Sequence, residues 1–150
     1  MRKLLSVVAL LALAGSALAQ DVAKTVKGDD LTWREHPLLK GAQTTIIIGE
    51  PTKEGLVVVR FKFPPNFKIA PHTHPYGEVL TVLSGTFGYG DGETFDTAKV
   101  QQFKAGSLIA IPAKQPHFVM VGNEETIVQF QFTGLAGIAF INPADDPRKK

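Results

Sequence analysis

The chain has 150 residues, no cysteine and a formal net charge of +2 at pH 7. Without cysteine it can have neither disulfides nor thiolate nucleophiles or thiolate metal ligands. Its length suits one domain, and so small an excess of positive charge makes nucleic acid an unexpected partner.

The first predicted element, residues 1–19, has the pattern of a secretory signal peptide. Basic residues precede an apolar run at 4–14, and Ala-Leu-Ala at 17–19 fits the small-x-small cleavage pattern. The run is shorter than the ~20 residues of a membrane span, and an uncleaved anchor is the alternative. Cleavage before Gln20 leaves no net charge, because the signal carries two of the 16 Lys and Arg and none of the 14 Asp and Glu. We therefore expect a protein exported to the bacterial periplasm, without membrane attachment after cleavage.

After the signal, short β-type runs rich in Val, Ile, Thr and Phe alternate with turns rich in Gly, Pro and Asp. Many short strands at regular spacing predict an all-β, antiparallel sandwich or barrel. Only residues 96–103 have a helical pattern, which can be as short as a single turn, with Asp96 or Thr97 as N-cap. The predicted strands are residues 31–36, 44–49, 56–63, 78–83, 86–89, 107–111, 117–121 and 126–132.

The domain organisation predicted from these elements has four parts. The signal peptide at 1–19 is followed by an N-terminal strand or arm at 20–43, a β-barrel at 44–132, and a C-terminal strand and tail at 133–150. Residues 142–150, with two prolines, are interpreted as irregular.

Two of the four histidines stand one residue apart in PHTHPYGE, residues 71–78. Alternate side chains of an extended segment share a face, so His72 and His74 should point the same way. After a bend, Glu78 can add a carboxylate to that face, and Leu80 and Val82 should continue it inward. An H-x-H pair alone is as compatible with chance as with a metal. The isolated His36 is interpreted as a structural histidine.

The whole pattern resembles the two motifs of the cupin superfamily. H-x-H-x-x-x-E followed after six residues by Gly85 matches the first motif, and Gly106, Pro112 and His117 match the second. The resemblance spans residues 44–132 and implies an antiparallel double-stranded β-helix, the cupin or jelly-roll barrel. The chain is similar to small exported single-domain proteins of this family. It is also similar to the cupin halves of anti-sigma factors, although an exported domain has no sigma factor to bind.

The chain departs from the two motifs at three positions. Asn66 and Lys114 stand where the motifs have glycine, and Val121 stands where the second has asparagine. Asparagine also adopts left-handed conformations, so the change at Asn66 is tolerable. No ligand is lost, and the departures put only the local turn geometry and the subfamily in doubt.

By this resemblance, one divalent transition metal ion is bound by His72, His74, Glu78 and His117. Three imidazoles and a carboxylate suit Fe, Mn, Ni, Cu or Zn. A four-coordinate zinc would be structural, whereas an octahedral ion would keep two positions for water or substrate. Both alternatives are open at this point.

Three side chains are candidates for the cavity lining beside the ion. Tyr76 lies between the ligands in sequence. Gln129 and Gln131 alternate with two phenylalanines in the run VQFQF, so that one of the two pairs points inward.

The resemblance implies a metal-dependent enzyme acting on a small organic molecule, with dioxygenase-type chemistry as the leading class. One alternative is a non-catalytic periplasmic module that holds a metal ion or a small ligand. Another is a structural metal that stiffens the barrel, which the absence of disulfides makes reasonable. The expected partners are a small-molecule ligand or substrate and a second copy of the chain in a homodimer.

Overall fold

A computed structural model of the chain describes residues 23–149, so the predicted signal peptide lies outside the described residues. In this range helical structure is confined to four 3-10 turns: Gly28–Asp30, Thr97–Lys99, Pro143–Asp145 and Pro147–Lys149. No helix within residues 23–149 has the length and apolar character needed to cross a membrane. The strands are β1 Arg34–Glu35, β2 Gln43–Ile48, β3 Leu56–Phe63, β4 Lys68–Thr73, β5 Glu78–Ser84, β6 Thr86–Asp91, β7 Gln101–Lys104, β8 Leu108–Ile111, β9 His117–Val121, β10 Thr126–Thr133 and β11 Ala139–Phe140.

The strands form two antiparallel sheets. The larger sheet has the order β1-β2-β3-β10-β5-β8, and the smaller has the order β11-β4-β9-β6-β7. From β3 to β6 successive strands alternate between the sheets, as in a jelly roll. The predicted all-β class and jelly-roll barrel are thereby confirmed.

The core lies between the sheets and is built from alternate residues of each strand. On β5, Glu78, Leu80 and Val82 are buried while the residues between them are partly exposed. This is the inward face predicted for the strand, and it continues the row of side chains that begins with the carboxylate. Phe63 and Phe87 are fully buried beside it and fill the space between the sheets.

Strand β4, which carries His72, was not among the predicted strands. Its sequence contains Pro71, which cannot donate to a ladder and normally marks the end or the irregular part of a strand. The register of β4 against β9 shifts between Ile69 and His72. Pro71 lies within this irregular part of the strand, and pairing with β9 keeps the segment extended.

Of the helical pattern predicted over residues 96–103, only the single turn Thr97–Lys99 forms. The Asp96 carboxylate accepts a hydrogen bond from the Ala98 amide at 2.9 Å, which is the predicted N-cap. From Gln101 onwards the chain is extended, because β7 pairs with β6. Long-range pairing therefore overrides the local helical preference.

The two motif positions that lack glycine keep the glycine-like conformation. Asn66 has φ 60° and Lys114 has φ 63°, and they are the only non-glycine residues with positive φ in the described part of the chain. A left-handed conformation costs an ordinary residue ~1–2 kcal/mol. The turn geometry that the substitutions put in doubt is thus retained, at the expense of local strain.

Gly85, between β5 and β6, offers a first test of the fold. Its φ is +76°, and an added Cβ would lie 2.6 Å from the Glu125 carbonyl oxygen and against the Thr126 hydroxyl. Gly106 has a similar φ of +91° but open space around a Cβ. We expect Gly106→Ala to lose ~1–2 kcal/mol of unfolding free energy from backbone strain. Gly85→Ala should lose a further ~1–3 kcal/mol from overpacking.

Urea unfolding of both variants beside the wild type measures these losses, and Gly106→Ala is the matched control for positive φ. Equal destabilisation by the two substitutions would contradict the close approach of β10 to Gly85.

Candidate metal centre

Three histidines from two parts of the chain meet inside the barrel. His72 on β4 lies directly across from His117 on β9, and their ring centroids are 4.2 Å apart. His74, just beyond β4, has its centroid 5.0 Å from that of His72 and 5.4 Å from that of His117. One ring nitrogen from each of the three lies within 4.8 Å of the others. The structure therefore brings the predicted imidazoles to a common centre.

Glu78 reaches the same centre from the other sheet. Its Oε1 atom lies 3.7 Å from Nε2 of His74 and 3.8 Å from Nε2 of His117. These distances are too long for hydrogen bonds, and within residues 23–149 this buried oxygen has no hydrogen-bond partner. Two ligands of one ion, each at ~2.0–2.2 Å, lie at most ~4.4 Å apart. The spacing therefore suits two atoms that share a metal ion better than two atoms that bond to each other.

Backbone carbonyl groups fix which nitrogen each ring presents to the centre. The Nδ1 atoms of His72 and His117 lie 2.7 Å and 2.9 Å from the carbonyl oxygens two residues before them. Nδ1 of His74 lies 2.6 Å from the carbonyl oxygen of Gly137. When Nδ1–H donates to a carbonyl, Nε2 keeps its lone pair, and metal-binding histidines are usually oriented in this way.

Burial sets the protonation states at the centre. It lowers the pKa of His72 to about 3, with a further contribution from His117, and the pKa of His74 to about 4. It also lowers the pKa of His117 and raises the pKa of Glu78 to about 7. Neutral imidazoles are the form that binds a metal. A cation among the rings would also compensate the buried carboxylate, so the residues fit a divalent transition metal ion.

The centre forms part of the wall of a cavity of about 440 Å³. Most of the remaining wall is apolar and includes Phe61, Phe130 and Phe132. Gln129 and Gln131 are not among the residues that line the cavity, and the Gln129 amide oxygen instead accepts a hydrogen bond from Arg60 at 3.0 Å. The inward pair of β10 is thus the two phenylalanines, because the register of β10 places the glutamines on the other face.

Tyr76, the third candidate for the lining, does line the cavity. Its ring stacks on Phe132, with centroids 4.1 Å apart, and on His74, at 5.3 Å. Its hydroxyl lies 3.3 Å from Nδ1 of His74. Burial raises the pKa of this phenol, with a smaller contribution from Glu78, so it stays protonated. Tyr76 therefore packs against the ring of His74 and helps to fix its orientation.

A C-terminal strap, residues 134–141, crosses the barrel beside the centre. Its carbonyl at Gly137 accepts the hydrogen bond from His74, and its two ends are tied by Gly134 N to Gly55 O and by Ile141 N to Pro71 O. The strap is tied to the chain end as well, since Arg148 donates to the Ile138 carbonyl at 3.2 Å. Orientation of His74 thus depends on a segment 63 residues away in sequence.

Gly137→Ala tests whether the strap positions His74. A Cβ at this residue would lie 3.1–3.2 Å from Pro75, so the strap must shift away from the histidine. Loss of such a carbonyl partner typically costs 10–100-fold in metal affinity, and we expect about tenfold weaker binding. Gly134→Ala is the control, because it strains the same segment at φ +124° without touching Pro75.

Competition of both variants with a chelating dye measures their metal affinity. Unchanged affinity in Gly137→Ala, or an equal loss in Gly134→Ala, would show that the strap does not act through His74.

Sequence reasoning missed several residues at the cavity. Tyr89 stacks on His117, with centroids 5.6 Å apart, and its hydroxyl donates to Asp91 at 2.5 Å. Arg148 and His36 also line the cavity. The alternation on β6 could have placed Tyr89 inward, but no local pattern brings the arm or the chain end to the cavity.

Comparisons with known proteins agree with this architecture. Residues 59–130 match the family model of the cupin domain. The polyketide cyclase RemF from Streptomyces resistomycificus has a TM-score of 0.68 at 22% identity, over 85% of this chain and 92% of that one. An uncharacterized double-stranded β-helix protein from Klebsiella pneumoniae has a TM-score of 0.57 at 27% identity, over 79% and 96%.

An RmlC-like cupin from Shewanella frigidimarina is similar to the same degree, with a TM-score of 0.57 at 16% identity over 75% of this chain and 91% of that one. The comparison with curated protein sequences gives no match. At such identities the solved structures establish the fold, and the activity has to be argued from the site itself.

Proposed function

The chain belongs to the cupin superfamily, and from this membership and the four converging side chains we propose that it binds one divalent transition metal ion and acts with it on a small organic molecule. His72, His74, Glu78 and His117 would hold the ion. When bound, such an ion supplies Lewis-acid polarisation of a ligand oxygen or, if it is redox-active, activation of dioxygen.

The observation that carries this proposal is the cavity of about 440 Å³ in front of the four donors. Small-molecule sites commonly measure ~300–1,000 Å³ and have mostly apolar walls with a few polar groups. A structural ion needs no such space, because its ligands enclose it completely. The cavity therefore favours a ligand that approaches the centre over an ion that only stiffens the barrel.

The protein's own contribution would be to exclude water and to orient the ligand. Aromatic side chains form much of the wall, and Tyr76 and the strap hold His74 in place. Among the described cavity-lining residues, Glu78 is the only carboxylate, so no second acid or base of that kind faces the ligand. This favours a reaction in which the metal does most of the chemistry, and dioxygenase-type chemistry is our leading candidate.

The shortage of acid–base groups also favours a second candidate function, a non-catalytic module that holds a metal ion or a small ligand. The cyclase with the same fold carries no weight for the reaction, because its identity to this chain is only 22%. Metal identity separates the candidates, since a redox-active ion supports dioxygenase chemistry and a redox-inert one does not.

Measurement of the metal content of protein purified from its native compartment is the decisive experiment. The enzyme proposal expects about one Fe, Mn, Ni or Cu per chain and water molecules that exchange, detectable by water-proton relaxation. One tightly held zinc without exchangeable water would support a structural role. Protein without metal that also fails to bind the five ions on reconstitution would overturn the proposal.

We further propose that the mature protein is a homodimer in the bacterial periplasm. N-terminal sequencing of the exported chain should give Gln20 as first residue, and light scattering should give twice the mass of the mature chain. A cytoplasmic chain with an intact N-terminus would contradict export to the periplasm. A monomer in light scattering would contradict the homodimer.

A further inference from the structure

His36 lies at the cavity but outside the metal centre. Its Nδ1 accepts hydrogen bonds from the backbone amides of Leu38 and Leu39, at 3.2 Å and 3.0 Å. Its ring packs against Phe61 with centroids 5.3 Å apart and lines the cavity. The amide contacts confirm the structural role expected for this histidine, but they use only one of its two ring nitrogens.

The other nitrogen is left as a hydrogen-bond donor. Because Nδ1 accepts from two amides, the neutral ring carries its proton on Nε2. Burial lowers the pKa of His36, which favours the neutral ring at pH 7. Between residues 23 and 149 no group accepts a hydrogen bond from Nε2. An N–H donor therefore remains available on a side chain that lines the cavity.

His36 packs against a residue paired with one part of β10, whereas Glu78 is paired with another part of that strand. Phe61, on which His36 packs, pairs with Val128 of β10, whereas Glu78 pairs with Phe132 of the same strand. Four residues along a strand span ~13 Å. The cavity thus has two polar ends, one at the four metal-binding candidates and one at His36.

The wall between these ends is apolar and aromatic, and its other polar groups have partners. Thr44 donates its hydroxyl to the Arg60 carbonyl at 3.1 Å. The Arg148 guanidinium is bound to Asp146 through two contacts of 2.7 Å. In the described part of the chain, no unpaired charge therefore faces the middle of the cavity.

We propose that His36 determines ligand specificity, and that the ligand is an uncharged, flat and largely apolar molecule with oxygen atoms at its two ends. One oxygen faces the metal centre and the other accepts a hydrogen bond from Nε2 of His36. Aromatic faces such as Phe61 and Phe130 pack against the body of the molecule. This inference rests on the proposed function, because it concerns the ligand of the same site.

Two naphthalene probes test the inference on zinc-loaded protein, since zinc is redox-inert and the probes stay intact. The first is a dihydroxynaphthalene with its hydroxyl groups at opposite ends, and in the second a methyl group replaces one of them. One hydrogen bond contributes ~1 kcal/mol, which corresponds to about fivefold in affinity. We expect the diol to bind about fivefold more tightly in a fluorescence titration.

His36→Asn is the matched variant. The asparagine side-chain oxygen can accept from the amides two and three residues on, as in an Asx turn, so the arm keeps its local hydrogen bonds. The variant lacks the imidazole Nε2 donor. We expect it to bind both probes equally, with the affinity for the methyl probe and the zinc content unchanged.

Equal binding of the two probes to the wild type would overturn the inference, and so would a preference for the diol that persists in His36→Asn. The comparison of the two probes on the wild-type protein needs no variant, so the inference can be contradicted even if His36→Asn does not fold. Metal content is measured separately. Protein that binds none of the five ions contradicts the proposed function, whereas zinc-loaded protein without a preference for the diol contradicts only the role of His36.

Discussion

His117→Ala is expected to abolish stoichiometric metal binding. The residue is buried, pairs directly across from His72, and presents Nε2 to Glu78 at 3.8 Å. Loss of an outer-shell partner alone typically costs 10–100-fold in affinity, and loss of a ligand should exceed ~100-fold. Elemental analysis after dialysis against a weak chelator measures the retained metal.

The control for this loss is His36→Asn, which changes a histidine of the same cavity outside the centre. It should retain about one equivalent of metal. His74→Ala removes a second proposed ligand at a less buried position, so that the test does not depend on the folding of His117→Ala alone. Circular dichroism checks that both variants are folded. Stoichiometric binding by folded His117→Ala and His74→Ala would contradict the three-histidine centre.

Glu78→Gln is expected to act in opposite directions on stability and on metal binding. In the metal-free protein the carboxylate is buried and its Oε1 has no hydrogen-bond partner within the described residues. Leaving a charged group unsatisfied in this way costs at least ~1–3 kcal/mol, and the neutral amide should recover much of it. The same substitution removes the anionic donor, so metal affinity should fall by more than ~100-fold.

The gain in stability should depend on pH with a definite sign. The pKa of Glu78 is raised to about 7 in the folded chain from an ordinary value of 4.5. The folded metal-free protein therefore holds this proton more tightly than the unfolded chain, and it loses stability as the pH rises from about 4.5 to about 7. Glutamine does not titrate, so the advantage of the variant should grow over that range and then level off.

Urea unfolding of the metal-free wild type and variant, at pH 5 and pH 8, measures this effect. Glu125→Gln, an exposed carboxylate on the turn before β10, is the matched control and should change stability little at either pH. A Glu78→Gln variant that is less stable than the wild type at pH 8 would show that the carboxylate is stabilised in the folded chain in a way the structure does not show.

Local sequence patterns anticipated much of the fold because they depend on neighbouring residues. The ranges predicted for β3 and β9 agree with the structure at both ends, and alternation on β5 correctly placed Leu80 and Val82 inward with Glu78. Patterns that need a distant partner were less informative. Strand β4 contains a proline and most of β7 lies within the predicted helical pattern, yet both are extended because neighbouring strands pair with them.

The choice between two faces of β10 shows the same limit. VQFQF alternates regularly, so sequence alone admits either the glutamines or the phenylalanines as the inward pair. The registers of β10 against β3 and β5 decide it, with an irregularity at Ile127 and Val128. A slip of one residue in these registers would exchange the two faces, which is why only the assembled sheet settles the lining.

The sequence by itself determined the all-β class and, through the resemblance in its motifs, the jelly-roll barrel and the four side chains proposed to bind the metal, because spacing within each motif is a local property. The tertiary structure alone decided what surrounds them. Gly137 contacts His74 although the two are 63 residues apart in sequence. His36 lies at the cavity because β1, just before it, pairs with β2 and its own amide donates to the Ala42 carbonyl. Such contacts are set by strand order and register, which depend on the packing of the whole barrel rather than on any one segment.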